Sequence, residues 1–330
     1  MTMPEINVCP GTLAAGHRTY SRTALVRVFQ GRKVSPILPY DSPASDSETD
    51  GIFEENQRRM SISGVQEKFS VLLEKNKLRL TVETERGAYI LKPVPGAGRR
   101  PDQMPANEHL TMQIARQVYD IETAENALIF FRNGAPAYIT KRFDIGENGN
   151  KLAQDDFASL DGRTPHTRGE HYKYLGNYLE LFQLMEKFVP AYKVEAPKLL
   201  KLLMFNYLFS NGDAHIKNFS ILETSLGDYR LAPAYDLLNS SIHVKDNVFA
   251  LQDGLLPKPL AKGKIIRQFS VLATQAGVPA KAFARISKQM LSGSAKVEQL
   301  TKASFLDDTT KRNYWQAYKG RLRQLMKEEE

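Results

Sequence analysis

The spacing of apolar residues predicts strands early in the chain and helices later on. Apolar and polar residues alternate with the period of a β-strand over residues 68–74, 77–83 and 87–92. Two further segments, 127–131 and 137–142, are mainly apolar and predict two more strands. Turn-forming residues separate the first three of these segments. The pattern therefore predicts a small antiparallel sheet in the first half of the chain.

Helical spacing of apolar residues predicts helices over residues 21–29, 105–119, 174–188 and 197–210. Ser21 is suited to cap the first helix, and Pro197 suits the first turn of the last one. That last helix carries leucine and phenylalanine around its circumference, which predicts that it is buried. Strands followed by helices indicate the α+β fold class, with a small, mostly β N-lobe and a larger helical C-lobe.

An acidic, polar stretch over residues 41–55 predicts a linker or a surface loop. On this basis we expect an N-terminal extension with the acidic linker at 1–57, an N-lobe at 58–144 and a helical C-lobe at 145–330. A chain of 330 residues is long enough for two lobes of one unit.

The composition is that of an ordinary globular protein, with 42% hydrophobic and 25% charged residues. No apolar run is long enough to span a membrane, so we expect a cytoplasmic protein without membrane contact. A single cysteine, Cys9, excludes an internal disulfide. The net charge of +8 is compatible with a nucleic-acid or acidic partner, and equally with a basic surface of no special function.

The most informative motif is the run over residues 211–218, followed by Asp236. Asp213 and Asn218 have the Asp-x4-Asn spacing of a protein-kinase catalytic loop, although Asn211-Gly212 stand where His-Arg usually precede the aspartate. In such a loop the first aspartate accepts the proton of the substrate hydroxyl, and the asparagine and a second aspartate hold Mg²⁺. Asn-Gly-Asp is also ordinary turn chemistry, but a turn alone does not require the residues that follow it.

Three further residues belong to this motif. Lys217 is placed to stabilise the charge of a transferring phosphoryl group. His215 is predicted to lie in the ATP-binding site and is interpreted as a structural hydrogen-bonding residue, with a general base as the alternative. Tyr235, next to the second aspartate, is predicted to pack under a bound nucleotide.

A loop rich in small residues precedes the first strand, and its backbone amides could approach phosphates. The predicted ATP-binding residues of this loop are Ser63, Gly64, Val65, Gln66, Glu67 and Lys68. Taken alone, such a loop more often marks a surface turn. Lys92, at the end of an apolar strand, has the position of a phosphate-binding lysine, and Glu108 on the next helix is its candidate partner; solvent exposure is the alternative for each.

The last two predicted strands lead to Lys141, Arg142 and Phe143, which suggest a hinge that binds adenine. Phe143 either covers the base or simply packs between lobes. Gln154 follows, where its side chain could reach a ribose or could be an ordinary loop residue.

Taken together, these motifs resemble those of the HipA family of serine/threonine kinase toxins, which have a two-lobed, protein-kinase-like fold. The motifs that carry the resemblance cover residues 61–68, 90–93, 142–144, 154–157, 211–218 and 231–237. The resemblance implies ATP and Mg²⁺ as cofactors, Asp213 as the catalytic acceptor, and Asn218 and Asp236 as metal ligands. It implies autophosphorylation at Ser61, and a second hydroxyl at Ser63 is similar to the shorter HipT branch.

The HipT resemblance also implies partners. These are a HipS-like small antitoxin and a HipB-like DNA-binding antitoxin, through which operator DNA is reached only indirectly. The implied substrate is a serine of an aminoacyl-tRNA synthetase, with the tryptophanyl enzyme favoured, and its phosphorylation would inhibit translation. The alternatives are an ATP-binding, weakly catalytic co-repressor scaffold for the HipB-like protein, and a small-molecule kinase.

Overall fold

The computed structural model describes residues 5–43, 67–146, 149–245 and 247–326. Within these residues the chain divides into two compact units. The first contains Met1–Gln113, Ala124–Phe143 and Gln299–Lys311, and the second contains Ile114–Thr123, Asp144–Glu298 and Arg312–Glu330, in so far as they are described. The predicted boundary at residue 57 lies outside the described residues, and the predicted domain limits stay predictions.

The first unit contains an antiparallel sheet formed by the five predicted strands. Its strands are β1 (Phe69–Glu74), β2 (Lys77–Leu80), β3 (Tyr89–Pro93), β4 (Asn126–Phe130) and β5 (Pro136–Lys141), arranged in the order β2-β1-β3-β5-β4. β2 ends at Leu80, three residues before its predicted end, because the chain turns there. The amide of Val82 donates to the Glu85 carboxylate at 3.0 Å, and this contact replaces a continued ladder.

Helix α1 (Arg22–Phe29) confirms the first predicted helix and its cap. The amide of Ala24 donates to the Ser21 hydroxyl at 3.2 Å, which satisfies one of the free N–H groups of the first turn. The helix buries Ala24, Val28 and Phe29 in a core shared with the sheet. Helix α2 (Met104–Gln117) confirms the second predicted helix to within two residues at each end.

The second unit is mainly helical. Its helices, some of which begin or end in the first unit, are α3 (Phe157–Leu160), α4 (Pro165–Arg168), α5 (Leu179–Phe188), α6 (Tyr192–Leu208), α7 (Ile265–Gln275), α8 (Ala280–Ser292), α9 (Ser294–Ala303) and α10 (Asp308–Met326). As predicted, α6 is buried along most of its length. No helix of the described residues is long and apolar enough to cross a bilayer.

Two helix starts differ from the prediction. α6 begins at Tyr192, so Pro197 lies inside the helix rather than in its first turn, and the carbonyl of Lys193 loses a helical donor. α5 begins at Leu179, not at residue 174, because Tyr172–Tyr174 form a separate 3₁₀ turn.

A three-stranded antiparallel sheet completes the second unit. It contains β6 (Gln154–Asp156), β7 (Ser220–Glu223) and β8 (Tyr229–Leu231) in the order β6-β7-β8. The segment that joins α6 to β7 is the predicted catalytic loop. The mixture of an antiparallel sheet and helices agrees with the predicted α+β class, and the arrangement into two lobes stays a prediction.

Candidate active site

The predicted catalytic loop is a tight, hydrogen-bonded turn between α6 and β7. The amide of His215 donates to the Asp213 carbonyl at 2.7 Å, and the amide of Asn218 donates to the His215 carbonyl at 2.8 Å. Ala214, His215 and Ile216 are buried, whereas Asp213, Lys217 and Asn218 are half-buried. The residues with a predicted role in phosphoryl transfer are therefore partly accessible to solvent, whereas the residues between them are buried.

Buried hydroxyl groups from distant segments fix this loop. The Ser240 hydroxyl accepts from the Gly212 amide at 2.8 Å and donates to the Ser210 carbonyl at 3.1 Å. The Tyr178 hydroxyl donates to the Ala214 carbonyl at 2.7 Å. Buried hydrogen bonds of this kind are expensive to leave unmade, so the loop conformation is well determined.

Tyr174 contacts the predicted catalytic aspartate directly. Its hydroxyl donates to Asp213 Oδ1 at 2.9 Å, and its ring meets the His215 ring edge-on with centroids 5.3 Å apart. Tyr174, Tyr178 and Ser240 were missed by sequence reasoning, since their separations of 39, 36 and 28 residues from their partners leave no local pattern.

Asp236 lies beside the same loop. The Tyr235 hydroxyl donates to the Lys217 carbonyl at 3.0 Å and lies 2.5 Å from the Ser220 hydroxyl. Burial holds the pKa of Tyr235 well above its usual value, so the phenol stays neutral and able to donate. The carbonyl of Asp236 lies 3.5 Å from the Asn211 side-chain nitrogen.

The backbone of Asp236 has a φ of 54°, which is the left-handed region. A non-glycine residue there costs about 1–3 kcal/mol and persists only where its surroundings hold it. Such strain is most common at functional sites.

Asn218 and Asp236 offer an amide oxygen and a carboxylate, the hard oxygen ligands that Mg²⁺ takes. Among the described residues, no three His, Cys, Asp or Glu side chains gather into a metal cluster. Mg²⁺ at a phosphoryl-transfer site needs only one or two protein ligands besides phosphate oxygens and water. The donor set therefore fits a magnesium ion that arrives with a nucleotide.

His215 is buried, and within the described residues its Nδ1 has no hydrogen-bond partner. Burial, together with the nearby charge of Lys173, lowers the pKa of His215 to about 4. An imidazole with so low a pKa is a weak base at neutral pH, which argues against the general-base alternative.

Gln154 and Lys217 border the same hydroxyl network. The Gln154 amide donates to the Ser220 hydroxyl at 3.2 Å, which links β6 to the Tyr235 phenol. The Lys217 ammonium lies 3.4 Å from the Tyr172 hydroxyl. The second unit thus brings together Asp213, His215, Lys217, Asn218, Tyr235, Asp236 and, at the edge, Gln154.

In the first unit, Lys92 on β3 and Glu108 on α2 form a buried ion pair. Lys92 Nζ lies 2.6 Å from Glu108 Oε1, and the two side chains are 4% and 3% exposed. The ammonium also lies 5.3 Å from the centre of the Tyr138 ring on the neighbouring strand β5. Solvent exposure, the alternative for each residue, is contradicted.

The predicted hinge follows β5. The Lys141 amide donates to the Glu125 carbonyl at 2.7 Å and the Arg142 amide to the Ala88 carbonyl at 2.9 Å. Both backbone amides already donate hydrogen bonds within the first unit. Any contact from these two residues to an adenine base would therefore come from a carbonyl or a side chain. Phe143 is half-buried.

The predicted phosphate loop lies largely outside the described residues. Ser61, Ser63, Gly64, Val65 and Gln66 fall in the undescribed segment. Glu67 and Lys68, which precede β1, are exposed and half-buried respectively. The nucleotide contacts expected of this loop stay predictions.

The family model described as HipA-like C-terminal domain matches residues 60–297. Three relatives carry the name "Putative kinase": Y4mE and Y4dM from Sinorhizobium fredii, and one from Haemophilus influenzae. They are 31%, 28% and 24% identical over 55%, 64% and 67% of this chain. The matched regions span 43%, 53% and 64% of those proteins, less than two thirds of each.

Two solved structures have a similar fold. HipA of Shewanella oneidensis, in a complex of a toxin–antitoxin system with HipB and operator DNA, matches with a TM-score of 0.62 and 18% identity over 81% of this chain and 65% of that one. The proinflammatory kinase CtkA of Helicobacter pylori matches with a TM-score of 0.51 and 14% identity over 77% of this chain and 92% of that one. At these identities the likeness concerns the fold alone.

Proposed function

The chain belongs to the family of HipA-like C-terminal domains, and on that premise we propose that it is a serine/threonine protein kinase toxin of a toxin–antitoxin system, of the HipT type. It transfers the γ-phosphate of ATP to a serine of an aminoacyl-tRNA synthetase, with the tryptophanyl enzyme favoured, and so inhibits translation. The observation that carries the proposal is the loop of Asp213 and Asn218, which buried hydroxyl groups fix and which Tyr235, the neighbour of Asp236, contacts through the Lys217 carbonyl.

In this proposal the residues of the second unit perform the transfer. Asp213 orients the acceptor serine and takes its proton as the serine oxygen bonds to phosphorus and ADP leaves. Lys217 stabilises the charge that develops on the transferred group. Asn218 and Asp236 would hold Mg²⁺, which, when bound, neutralises phosphate charge.

Lys92 is proposed to bind the phosphates that are not transferred. Glu108 holds the lysine in place, because the two side chains are in short contact and almost completely shielded from solvent. A lysine held in this way loses little side-chain entropy when it meets a phosphate.

The partners proposed are a HipB-like DNA-binding antitoxin, with operator DNA bound only through it, and a HipS-like small antitoxin. The structural neighbour from Shewanella oneidensis supports the first, since it contains HipB and operator DNA.

The function is tested by adding the purified protein and γ-labelled ATP to a cell lysate. We expect a labelled protein band of the size of a synthetase, absent when the protein is omitted. A labelled metabolite instead would indicate a small-molecule kinase. No transfer at all would favour the ATP-binding co-repressor scaffold.

The substitution Asp236→Asn is expected to weaken the binding of Mg-ATP at least about tenfold, because a charged metal ligand is lost. Isothermal titration with Mg-ATP measures this affinity. Asp253→Asn is the matched control, since Asp253 contacts the exposed Lys258 at 3.8 Å rather than the catalytic loop. Unchanged Mg-ATP affinity in Asp236→Asn would remove this residue from the metal site.

We also propose that the protein phosphorylates itself on Ser61, Ser63 or both. A phosphoserine adds roughly 1.5 to 2 negative charges at neutral pH, which would repel the triphosphate of ATP. Mass spectrometry should find phosphate on these serines in the wild-type protein and none in a catalytically inactive variant. The double variant Ser61→Ala, Ser63→Ala should remain active and be unable to inactivate itself. Equal phosphorylation of active and inactive protein would contradict self-modification.

A further inference from the structure

The turn Tyr172–Tyr174 is anchored firmly in the second unit. The Tyr174 carbonyl accepts from the Gln252 amide at 2.8 Å, and the Gly176 carbonyl accepts from the Asp253 amide at 3.0 Å. The Arg163 guanidinium donates to the Leu175 carbonyl at 2.7 Å. These bonds fix the backbone on the carboxyl-terminal side of the turn, so the tyrosines have a rigid support.

The hydroxyl groups of two tyrosines in this turn contact the two charged residues of the predicted catalytic loop. Tyr174 donates to Asp213 Oδ1 at 2.9 Å, and the Tyr172 oxygen lies 3.4 Å from the Lys217 ammonium. The Lys217 ammonium also lies 5.9 Å from the centre of the Tyr172 ring. One short turn therefore contacts both Asp213, the predicted proton acceptor, and Lys217, which is predicted to stabilise the transferring phosphoryl group.

The Tyr174 ring has two further contacts. The His215 ring packs edge-on against it, and the Lys173 ammonium lies 4.9 Å from its centre. His215 is neutral at pH 7 because burial lowers its pKa to about 4, so the ring contact does not depend on charge near neutrality. The phenol is thus aimed at Asp213 by contacts on its ring as well as by its backbone.

We propose that Tyr174 is a positioning residue for the transfer reaction: its hydroxyl holds the Asp213 carboxylate in one orientation through Oδ1, ready for the acceptor serine. The inference rests on the proposed function and adds a residue to it. A catalytic carboxylate acts from one orientation, and a small misplacement of a catalytic group costs much of the rate.

The opposite role for the same contact is inhibition. The phenol donates to Asp213 as a serine hydroxyl would, so Tyr174 could instead occupy the place of the acceptor and would have to leave before each turnover. Its anchored backbone and packed ring oppose such a movement. The two roles predict opposite effects when the hydroxyl is removed.

The test is Tyr174→Phe, which removes the hydroxyl and keeps the ring contacts. We expect kcat to fall roughly 10- to 100-fold, with the KM for ATP and for the acceptor changed by no more than about twofold. An increase in kcat would overturn the proposal in favour of inhibition. An unchanged kcat, or a loss that appears only in KM, would also overturn it.

Tyr192→Phe is the matched control, because it removes a phenol bond of 2.8 Å to the Ala276 carbonyl, away from the catalytic loop. Its kcat should equal that of the wild type. If the wild type transfers phosphate and Tyr174→Phe has the same kcat, the inference is refuted and the proposed function stands. A wild type that transfers no phosphate would refute the function instead.

If the wild type transfers no phosphate, hydrogen exchange still tests the contact of Tyr174 with Asp213, since the measurement needs no activity. The amides of His215 and Asn218, which close the loop, should exchange at least about threefold faster in Tyr174→Phe than in Tyr192→Phe. Equal exchange in the two variants would overturn the inference, because the Tyr174 hydroxyl would then not constrain Asp213.

Discussion

Replacing Asp213 by asparagine is expected to lower the rate of phosphoryl transfer roughly 10²- to 10⁴-fold, the usual contribution of a positioned proton acceptor. Asparagine has the same shape and its amide oxygen can still accept from Tyr174, whose bond to Asp213 is 2.9 Å long. Mg-ATP affinity should change no more than a few-fold, because proton transfer is an interaction of the transition state. Single-turnover kinetics and nucleotide titration measure the two quantities separately.

The control for this variant is Asp228→Asn, in the turn between β7 and β8, where Asp228 accepts from the Thr224 hydroxyl. It should retain wild-type transfer. In cells, the Asp213 variant should no longer arrest growth when it is expressed without antitoxin. Growth arrest that persists while the synthetase stays unphosphorylated would show that toxicity does not depend on phosphoryl transfer.

Replacing Lys92 by methionine is expected both to abolish ATP-dependent activity and to destabilise the protein. Glu108, which is 3% exposed, would be left as a buried carboxylate without its lysine. Removing one partner of a buried ion pair lowers the free energy of unfolding by about 3–5 kcal/mol. For a protein of this size that corresponds to a fall in melting temperature of about 5 °C. Differential scanning calorimetry without nucleotide measures the change.

The double variant Lys92→Met, Glu108→Met separates the two roles of the lysine. Replacing both partners of a buried ion pair by apolar residues of similar volume is often neutral or stabilising, so much of the melting temperature should return. ATP binding should not return, because no cation replaces the lysine. Recovery of ATP binding in the double variant would contradict the role of Lys92 as a phosphate ligand.

The sequence predicted those features that depend on neighbouring residues. The first three strands of the first sheet follow from alternation and the last two from short apolar runs, while α1 follows from its apolar face and the serine cap at Ser21. The Asp213-x4-Asn218 spacing indicated a compact loop because the turn there is built within eight consecutive residues, and the catalytic role of that loop stays a prediction.

The remaining features depend on contacts between distant residues. The segment around Tyr174 has apolar residues at helical spacing, but Gly176 adopts a φ of 83° and its carbonyl bonds to the Asp253 amide instead of a helical donor. Pro197 lies inside α6 because tertiary burial of the helix outweighs one lost hydrogen bond. No periodicity encodes either outcome.

The bond between Gly212 and Ser240 also bears on how such a protein can be controlled. Protein kinases carry an arginine at the position of Gly212, and activation by phosphorylation orders their loops through new arginine–phosphate pairs. Gly212 has no side chain to receive a phosphate, and its amide is already satisfied at 2.8 Å by a neutral hydroxyl. Screening by salt, which weakens exposed charge pairs, leaves such a buried neutral bond intact. The bond that fixes Gly212 in the predicted catalytic loop therefore forms when the chain folds, and it does not depend on a phosphate group.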